Sequence, residues 1–316
     1  MRTINKEKIL NSLGEVVVLL GGQSDEREVS LKSGAAVFDS LNRLGVSVSM
    51  IDVGPAIVND LVTSNPDMVV NMLHGEGGED GSIQGLLEQL DLPYTGSGVT
   101  ASALAMDKAI SKRVWRDVGL KTPDFVILKE ESDWEDIISY LGAIIVKPTR
   151  DGSSLGLMPA ATAEELEQIF SDKRLGKKEI MAESRIRGTE YTVPILGSEI
   201  FPIIEFLEKD CVFDFQRKYG AQEIPIRCPA KLSSDAEFEL TEMVRCAYDS
   251  LGCRGLARVD VIRDTSGVFY LLEVNTIPGM TTKSFVPKSA QAIDVSFDDL
   301  MLLILSDCME FYNESI

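Results

Sequence analysis

Short apolar runs alternate with helical stripes through the first third of the chain. EVVVLLGG (15–22) reads as a buried strand, and VSVSMIDV (46–53) and DMVVNML (67–73) read as two more. Between them, SLKSGAAVFDSLNRLG (30–45) sets Leu31, Ala35, Phe38 and Leu41 on one helical stripe, and SIQGLLEQL (82–90) forms a shorter helix. This β-α-β rhythm predicts a parallel sheet with helices on its faces. Such sheets bind ligands beyond the carboxyl ends of their strands. The loops GGQSDEREVS (21–30) and HGEGGEDGSIQG (74–85) fall there.

The rhythm then changes. A single helix is predicted over 100–119, followed by short strands at 125–128, 143–148 and 179–184 and a helix at 162–171, which together read as a small α+β unit. Strands at 191–197 and 200–208 precede an irregular stretch from Lys209 to Leu232. A helix at 235–251, strands at 256–264 and 268–275 and a terminal helix at 296–312 complete the pattern. A structureless stretch of that length inside a compact domain reads as a functional lid.

Composition narrows the chemistry. With 44% hydrophobic and 26% charged residues, the 316-residue chain is long and apolar enough for two or three packed units. Its 31 basic and 50 acidic residues leave a net charge of -19, which repels nucleic acid and anionic membranes. A phosphate site must therefore be a local cluster of Lys, Arg and backbone N–H groups. Five cysteines without a C-x-x-C pair point to a reducing, cytoplasmic setting. No apolar run is long enough to span a bilayer, and the N-terminal segment lacks the apolar stretch of a signal peptide. His74 is the single histidine, so multi-His zinc sites are excluded and carboxylates must carry any metal chemistry. Oxygen ligands select Mg2+ or Mn2+.

Five segments could carry chemistry. RVDVIRD and LLEVN form an antiparallel hairpin across the turn Asp264–Gly267. Glu273 and Asn275 share a face by alternation, and if residue 263 lies opposite 268, Asp260 lies opposite 271 and shares it too. Two carboxylates and an amide oxygen then converge as a hard-cation site; the alternative is an acidic strand facing water. In IIVKPTRDGSSLGL (144–157) a strand delivers Lys147, and a glycine-rich loop with Ser153 and Ser154 offers N–H groups and hydroxyls to a phosphate. This is neither a Walker A motif nor a dinucleotide fingerprint. Ser24, Asp25, Glu26 and Glu28 open the first long helix, where acids either complement the helix dipole or grip an ammonium. In NTIPGMTTKSF (275–285), the Pro278–Gly279 turn can expose N–H groups as an oxyanion site, and Lys283 and Ser284 can meet a carboxylate. FDFQRKYG (213–220) places Arg217 and Lys218 among aromatics, a local positive patch suited to a lid over phosphates.

GGQSDEREVSLKSG, HGEGGEDGSIQGLLE, PYTGSG, the Lys147–Gly156 loop, GCRGLARVDV and EVNTIPGMTTKS stand in one order and spacing. Together they resemble the D-alanine–D-alanine ligases of the ATP-grasp superfamily, from about residue 15 to the end. The resemblance implies an α/β protein of three-domain ATP-grasp architecture: an N-terminal parallel-sheet domain (1–103) and two α+β domains (104–190 and 191–316) that clamp ATP. It implies ATP-dependent joining of two D-alanine molecules through a D-alanyl phosphate, for peptidoglycan precursors, in a cytoplasmic homodimer without nucleic-acid or membrane partners.

It also implies residue roles. Lys108 and Lys147 would contact ATP phosphates, with Ser153 and Ser154 over them and Lys218 reaching the γ-phosphate. Glu183 would lie at the adenine and Glu190 at the ribose. Asp260, Glu273 and Asn275 would hold two Mg2+ (or Mn2+) ions. Glu26 would bind the first ammonium with His74 nearby, and Tyr219 and Ser153 would link to Glu26. Arg258 and the Gly279 N–H would stabilise the tetrahedral intermediate, and Ser284 with the Phe285 backbone would take the second carboxylate. The chain departs from the pattern at Phe215 (Tyr is common), Lys283 (often His), Arg185 (often aromatic) and the tip 220–223. Lys218-Tyr219 favours dipeptide synthesis over a D-alanine–D-lactate ligase, the alternative within the superfamily; a nucleotide-binding regulator without catalysis is the alternative outside it.

Overall fold

The structure is a computed structural model, and it describes residues 5–150, 157–172, 178–208 and 224–314. Three sheets organise it. The first is parallel, in the order β2–β1–β3, from Val16–Leu20 (β1), Val48–Asp52 (β2) and Met68–Asn71 (β3). The apolar run of β1 is buried on both faces by alternation. Val16, Val18 and Leu20 join a cluster with Val37 and Leu41 of α2 (Arg27–Leu44) and Met301 and Leu305 of the last helix. Val17 and Leu19 turn the other way, onto Leu61 of α3 (Ile57–Ser64) and Leu87 of α4 (Ser82–Gln89). A run without polar positions is what two covered faces require.

The second sheet is antiparallel, in the order β4–β7–β5–β6: Phe125–Ile127 (β4), Ile144–Pro148 (β5), Met158–Ala160 (β6) and Ile180–Ser184 (β7). Helices α7 (Trp134–Leu141) and α8 (Ala163–Phe170) cover it through Ile137, Leu141 and Leu166. The third, also antiparallel, runs β11–β10–β8–β12–β13, with β9 (Glu199–Ile200) paired to β8. Its strands are Gly188–Leu196 (β8), Ile204–Phe206 (β10), Ile226–Arg227 (β11), Leu256–Asp264 (β12) and Phe269–Asn275 (β13). Helix α9 (Ser234–Ser250) packs beneath it through Leu240 and Val244, beside Trp115. Two further helices, α10 (Phe285–Gln291) and α11 (Phe297–Glu314), close the chain. Among the described residues, no helix is long and apolar enough to cross a membrane.

Several sequence expectations need correction. The helix expected over 100–119 is two helices, α5 (Val99–Met106) and α6 (Lys108–Asp117). Asp107 breaks it by taking an extended conformation in which its side chain accepts from the Ala109 and Ile110 N–H groups. A side chain that offers the backbone another partner competes with helix continuation and caps the next helix. The strand expected at 200–208 is likewise split into β9 and β10. Helix α2 starts at Arg27, three residues earlier than its apolar stripe suggests. The short elements α1 (Lys6–Ser12), α3, α7, β6 and α10 carry too few periodic positions to stand out. Part of the stretch expected to be irregular, 224–232, contains β11; the rest, 209–223, including Phe215, Lys218 and Tyr219, lies outside the described residues.

The hairpin register also differs. Arg263 pairs with Phe269 rather than residue 268, because the loop closes one residue tighter: the Asp264 N–H donates to the Val268 carbonyl, and Gly267 takes the left-handed conformation. A second shift lies between Asp260 and Val261, a β-bulge that brings Asp260 opposite Glu273 instead of Leu271.

Candidate functional site

The hairpin β12–β13 carries four polar side chains on one face. Asp260 pairs with Glu273 and Arg258 with Asn275 in register, which puts directly opposed side chains about 5 Å apart at Cβ. Asp260 is buried and fully engaged. Arg258 Nε and Nη2 each donate to one of its carboxylate oxygens at 2.9 Å, and Thr192 Oγ1 on the neighbouring β8 donates at 2.6 Å. Two residues before Thr192, Glu190 pairs with Ile262 and shares that sheet face by alternation. The Asn275 amide oxygen accepts from the Ile277 N–H at 3.2 Å, which turns the chain out of the strand. Glu273 keeps some solvent access and meets Lys108 Nζ at 3.4 Å.

Helix α6 supplies the lysines. Asp107 fixes its N-terminus and also accepts from Arg150 Nε at 2.8 Å, while the Lys108 N–H donates to the Thr149 carbonyl. The segment after β5 is thereby bound to the start of α6. Lys147, at the end of β5, forms a short ion pair with Glu183 of β7. The other Glu183 oxygen lies 3.0 Å from Lys112 Nζ, within ion-pair distance but off the direction of a hydrogen bond. Burial by itself pushes the Glu183 carboxyl up, but the Lys112 and Lys147 ammonium groups overcome that and hold it at about 2. Ser153 and Ser154, expected over the phosphates, lie outside the described residues.

Because the folded carboxyl sits below its ordinary value of 4.5, the ionised Glu183 stabilises the fold above that pH, and the contribution is lost as pH falls towards about 2. Glu183→Gln strips both lysines of their anion, a loss of about 3–5 kcal/mol for a buried pair. The gap between this variant and the native chain is expected to be full above about pH 5 and to narrow below about pH 4. Equal gaps in denaturant curves recorded at neutral and strongly acid pH would contradict this.

At the parallel sheet, β1 and β3 are neighbours through their shared register, so the loops that leave their carboxyl ends meet. Ser24 Oγ donates to the His74 carbonyl at 2.6 Å, and Glu26, 4% exposed, caps the entry to α2 beneath it. Gly75 permits this approach: its φ is +73°, and a Cβ there would lie 2.9 Å from Glu26 Oε2. His74 is buried between Glu79 and Ser33, with Nδ1 3.4 Å from Glu79 Oε1 and Nε2 3.3 Å from Ser33 Oγ. Ser33 Oγ also accepts from the Met280 N–H at 3.1 Å. The Gly279–Met280 loop that follows β13 is thus docked on α2. A cavity of about 610 Å³ opens beside these loops, lined by Gly22, Ser24, Leu73, His74 and Gly78.

Ser284 stands at the N-terminus of α10, its hydroxyl accepting from the Thr281 N–H at 3.1 Å and 2.9 Å from Thr281 Oγ1. The next residue, Phe285, places its ring 5.8 Å from the Arg258 guanidinium, which brings α10 to the hairpin face. Arg258, Asp260, Glu273, Asn275 and Lys108 therefore form one set on the hairpin, Lys147 and Glu183 reach the same strand through Lys112 and the Leu271 carbonyl, and His74 reaches the 275–285 loop through Ser33.

Among the described residues, no three His, Cys, Asp or Glu side chains gather around one point. The hairpin set has two carboxylates and one amide oxygen, and such a donor set suits a hard divalent cation that takes its remaining ligands from phosphate oxygens and water. Sequence reasoning missed Lys112, Thr192 and Ser33. The signal for Lys112 was present: Lys108, Lys112 and Trp115 recur at i, i+4 and i+7, the spacing of a buried stripe.

A mixed fold with a parallel N-terminal sheet, and a face of carboxylates and lysines between antiparallel sheets, defines an ATP-grasp enzyme. The family profiles described as D-ala D-ala ligase N-terminus and C-terminus match residues 55–97 and 114–306. A D-alanine–D-alanine ligase of Ectopseudomonas mendocina (strain ymp) is 45% identical over 300 residues, covering 95% of this chain and 96% of that protein. One from Cupriavidus taiwanensis is 43% identical, covering 93% and 92%. Among solved structures, the D-alanine–D-alanine ligase of Bacillus anthracis complexed with ATP superposes with a TM-score of 0.83 at 29% identity, covering 96% of this chain and 99% of that one. The chain belongs to the D-alanine–D-alanine ligase family.

Proposed function

We propose that this chain joins two D-alanine molecules into D-alanyl-D-alanine at the expense of ATP, for peptidoglycan precursor synthesis in the cytoplasm, and works as a homodimer. The observation that carries the reading is the register of β12 and β13, which sets Asp260 against Glu273 with Lys108 at the same carboxylate. Asp260, Glu273 and Asn275 would hold two Mg2+ ions, with Mn2+ as a substitute; bound there, the metal neutralises charge on the transferring phosphoryl group.

The chain's own residues then divide the work. Lys108 and Lys147 draw the triphosphate to a local positive site within an acidic protein. Glu26 holds the ammonium of the first D-alanine so that its carboxylate faces the γ-phosphorus. The carboxylate displaces ADP and becomes a D-alanyl phosphate. Ser284, with the Phe285 N–H, orients the second D-alanine through its carboxylate. Its amine attacks the acyl carbon, Arg258 and the Gly279 N–H take up the developing oxyanion charge, and phosphate leaves. Ser153, Ser154, Lys218 and Tyr219 carry the loop and lid roles implied by the family resemblance, and Glu190 the ribose contact. Glu183, held by Lys112 and Lys147, would lie at the adenine.

Incubation with Mg-ATP and D-alanine, L-alanine or D-alanine plus D-lactate, with products weighed by mass spectrometry, tests this. D-Alanyl-D-alanine from D-alanine alone is expected; a depsipeptide as the main product would favour the D-alanine–D-lactate reading. Glu26→Gln is expected to raise the KM for the first D-alanine by about 10–100-fold, the loss of a charged hydrogen bond, with the KM for ATP little changed. Equal losses for both substrates would remove Glu26 from the ammonium site.

A further inference from the structure

Lys112 is among the largest fully buried side chains of the described residues, and no role above uses its charge. Its ammonium meets three separate elements. It donates to Thr122 Oγ1 at 2.7 Å in the segment that leads into β4, and to the Leu271 carbonyl of β13 at 3.4 Å. It faces Glu183 Oε2 of β7 at 3.0 Å. Thr122 Oγ1 in turn donates to the same Leu271 carbonyl at 2.8 Å. One ammonium thus ties the four-stranded sheet to the six-stranded sheet, two residues before Glu273.

Burying an ammonium is costly, and an apolar side chain of the same length would fill this space without that cost. Lys112 keeps its charge nonetheless. Burial lowers it to about 8, and the Glu183 carboxylate keeps it from falling further, so it is mostly protonated at neutral pH. The local sum is informative: two cations, Lys112 and Lys147, share one anion, Glu183. That leaves one positive charge in excess among three buried groups, and a polyphosphate is an anion that would balance it.

We propose that Lys112 is a positioning residue for the nucleotide. It pairs with the Glu183 oxygen that Lys147 does not use, so the carboxylate is attracted from both sides, and through Glu183 it holds the Lys147 ammonium in place for the triphosphate. Its bond to Leu271 fixes the strand of Glu273 relative to the same group, so the phosphate cation and the carboxylate of the metal site keep one spacing. This inference rests on the ligase reading, which puts the nucleotide between these sheets.

The test compares native chain and Lys112→Met by equilibrium titration with Mg-ADP and by steady-state kinetics, at a temperature where circular dichroism shows both folded. Lys112→Met is expected to weaken Mg-ADP binding and raise the KM for ATP by about 10–100-fold, the cost of a misplaced charged contact, with the KM for D-alanine within about twofold of native. Thr122→Val removes the hydroxyl that accepts from Lys112 at nearly constant volume. It should move Mg-ADP binding in the same direction by about 2–5-fold, a smaller effect because the ammonium and its Glu183 contact remain, and it decides the matter if Lys112→Met does not fold. Native Mg-ADP affinity in a folded variant, or a rise in both KM values together, would overturn the proposal while leaving the ligase reading intact. Failure of the native chain itself to bind Mg-ADP would remove both.

Discussion

Glu273→Gln is expected to lower ligase turnover by about 100–1,000-fold, the scale of losing one charge that stabilises a phosphoryl-transfer transition state. Glu273 is the carboxylate best placed to respond to a cation. Unlike Asp260 it retains solvent access, and its contact with Lys108 is a loose 3.4 Å. Glutamine keeps the length and one oxygen but removes the negative charge, so the requirement for Mg2+ should rise along with the fall in turnover. The fold should survive, because the glutamine amide oxygen still accepts from the buried Lys108 ammonium at the same place. Turnover measured against Mg2+ concentration decides this. Native turnover at ordinary Mg2+ would take Glu273 out of the metal site.

Arg258→Met should act on both stability and catalysis. The guanidinium donates to both Asp260 oxygens at 2.9 Å, and Asp260 is only 8% exposed. Removing the cation leaves a buried carboxylate without its charged partner, a loss of about 3–5 kcal/mol. Turnover should also fall by about 100–1,000-fold if Arg258 faces the tetrahedral intermediate. The two effects separate through the metal. A divalent cation held by Asp260 would replace the lost positive charge, so Mg-ADP should stabilise the variant against denaturant more than it stabilises the native chain, yet turnover should stay low. If Mg-ADP restores both, Arg258 serves only the fold; if stability does not change, the bidentate pair is not what holds Asp260.

The sequence made the chemistry more legible than the geometry. Alternation along LLEVN and RVDVIRD put Asp260, Glu273 and Asn275 on one face, and they share it, although the expected register was wrong. Two one-residue shifts produced that outcome: a tighter turn at Gly267 and the bulge beside Asp260. Each alone would turn Asp260 to the opposite face from Glu273, and together they restore it. Nothing in the residue pattern marks a bulge, because it changes pairing without changing polarity. The parallel sheet was legible because β1, β2 and β3 are separated by helices, and the loops holding Glu26 and His74 followed from it.

The break at Asp107 was not read, although Asp followed by a polar stripe is a capping signal, because Ala-rich sequence on its N-terminal side reads as continuous helix. That break places Lys108 at the start of α6 and Lys112 one turn further on. The spacing of Lys112 from Trp115 marks a buried stripe, but a lysine there reads equally as a solvated chain end, and the contacts with Glu183, Thr122 and Leu271 decide for the interior.

In the proposed reaction a D-alanine carboxylate attacks phosphorus beside the hairpin carboxylates, and isotope transfer follows that oxygen. D-Alanine labelled with ¹⁸O in its carboxylate is turned over with unlabelled ATP in unlabelled water, and the released phosphate is analysed by mass spectrometry. An acyl phosphate route transfers one labelled oxygen to each phosphate, since the oxygen that attacked phosphorus departs with it. Phosphate free of label, formed in step with dipeptide, would contradict the account.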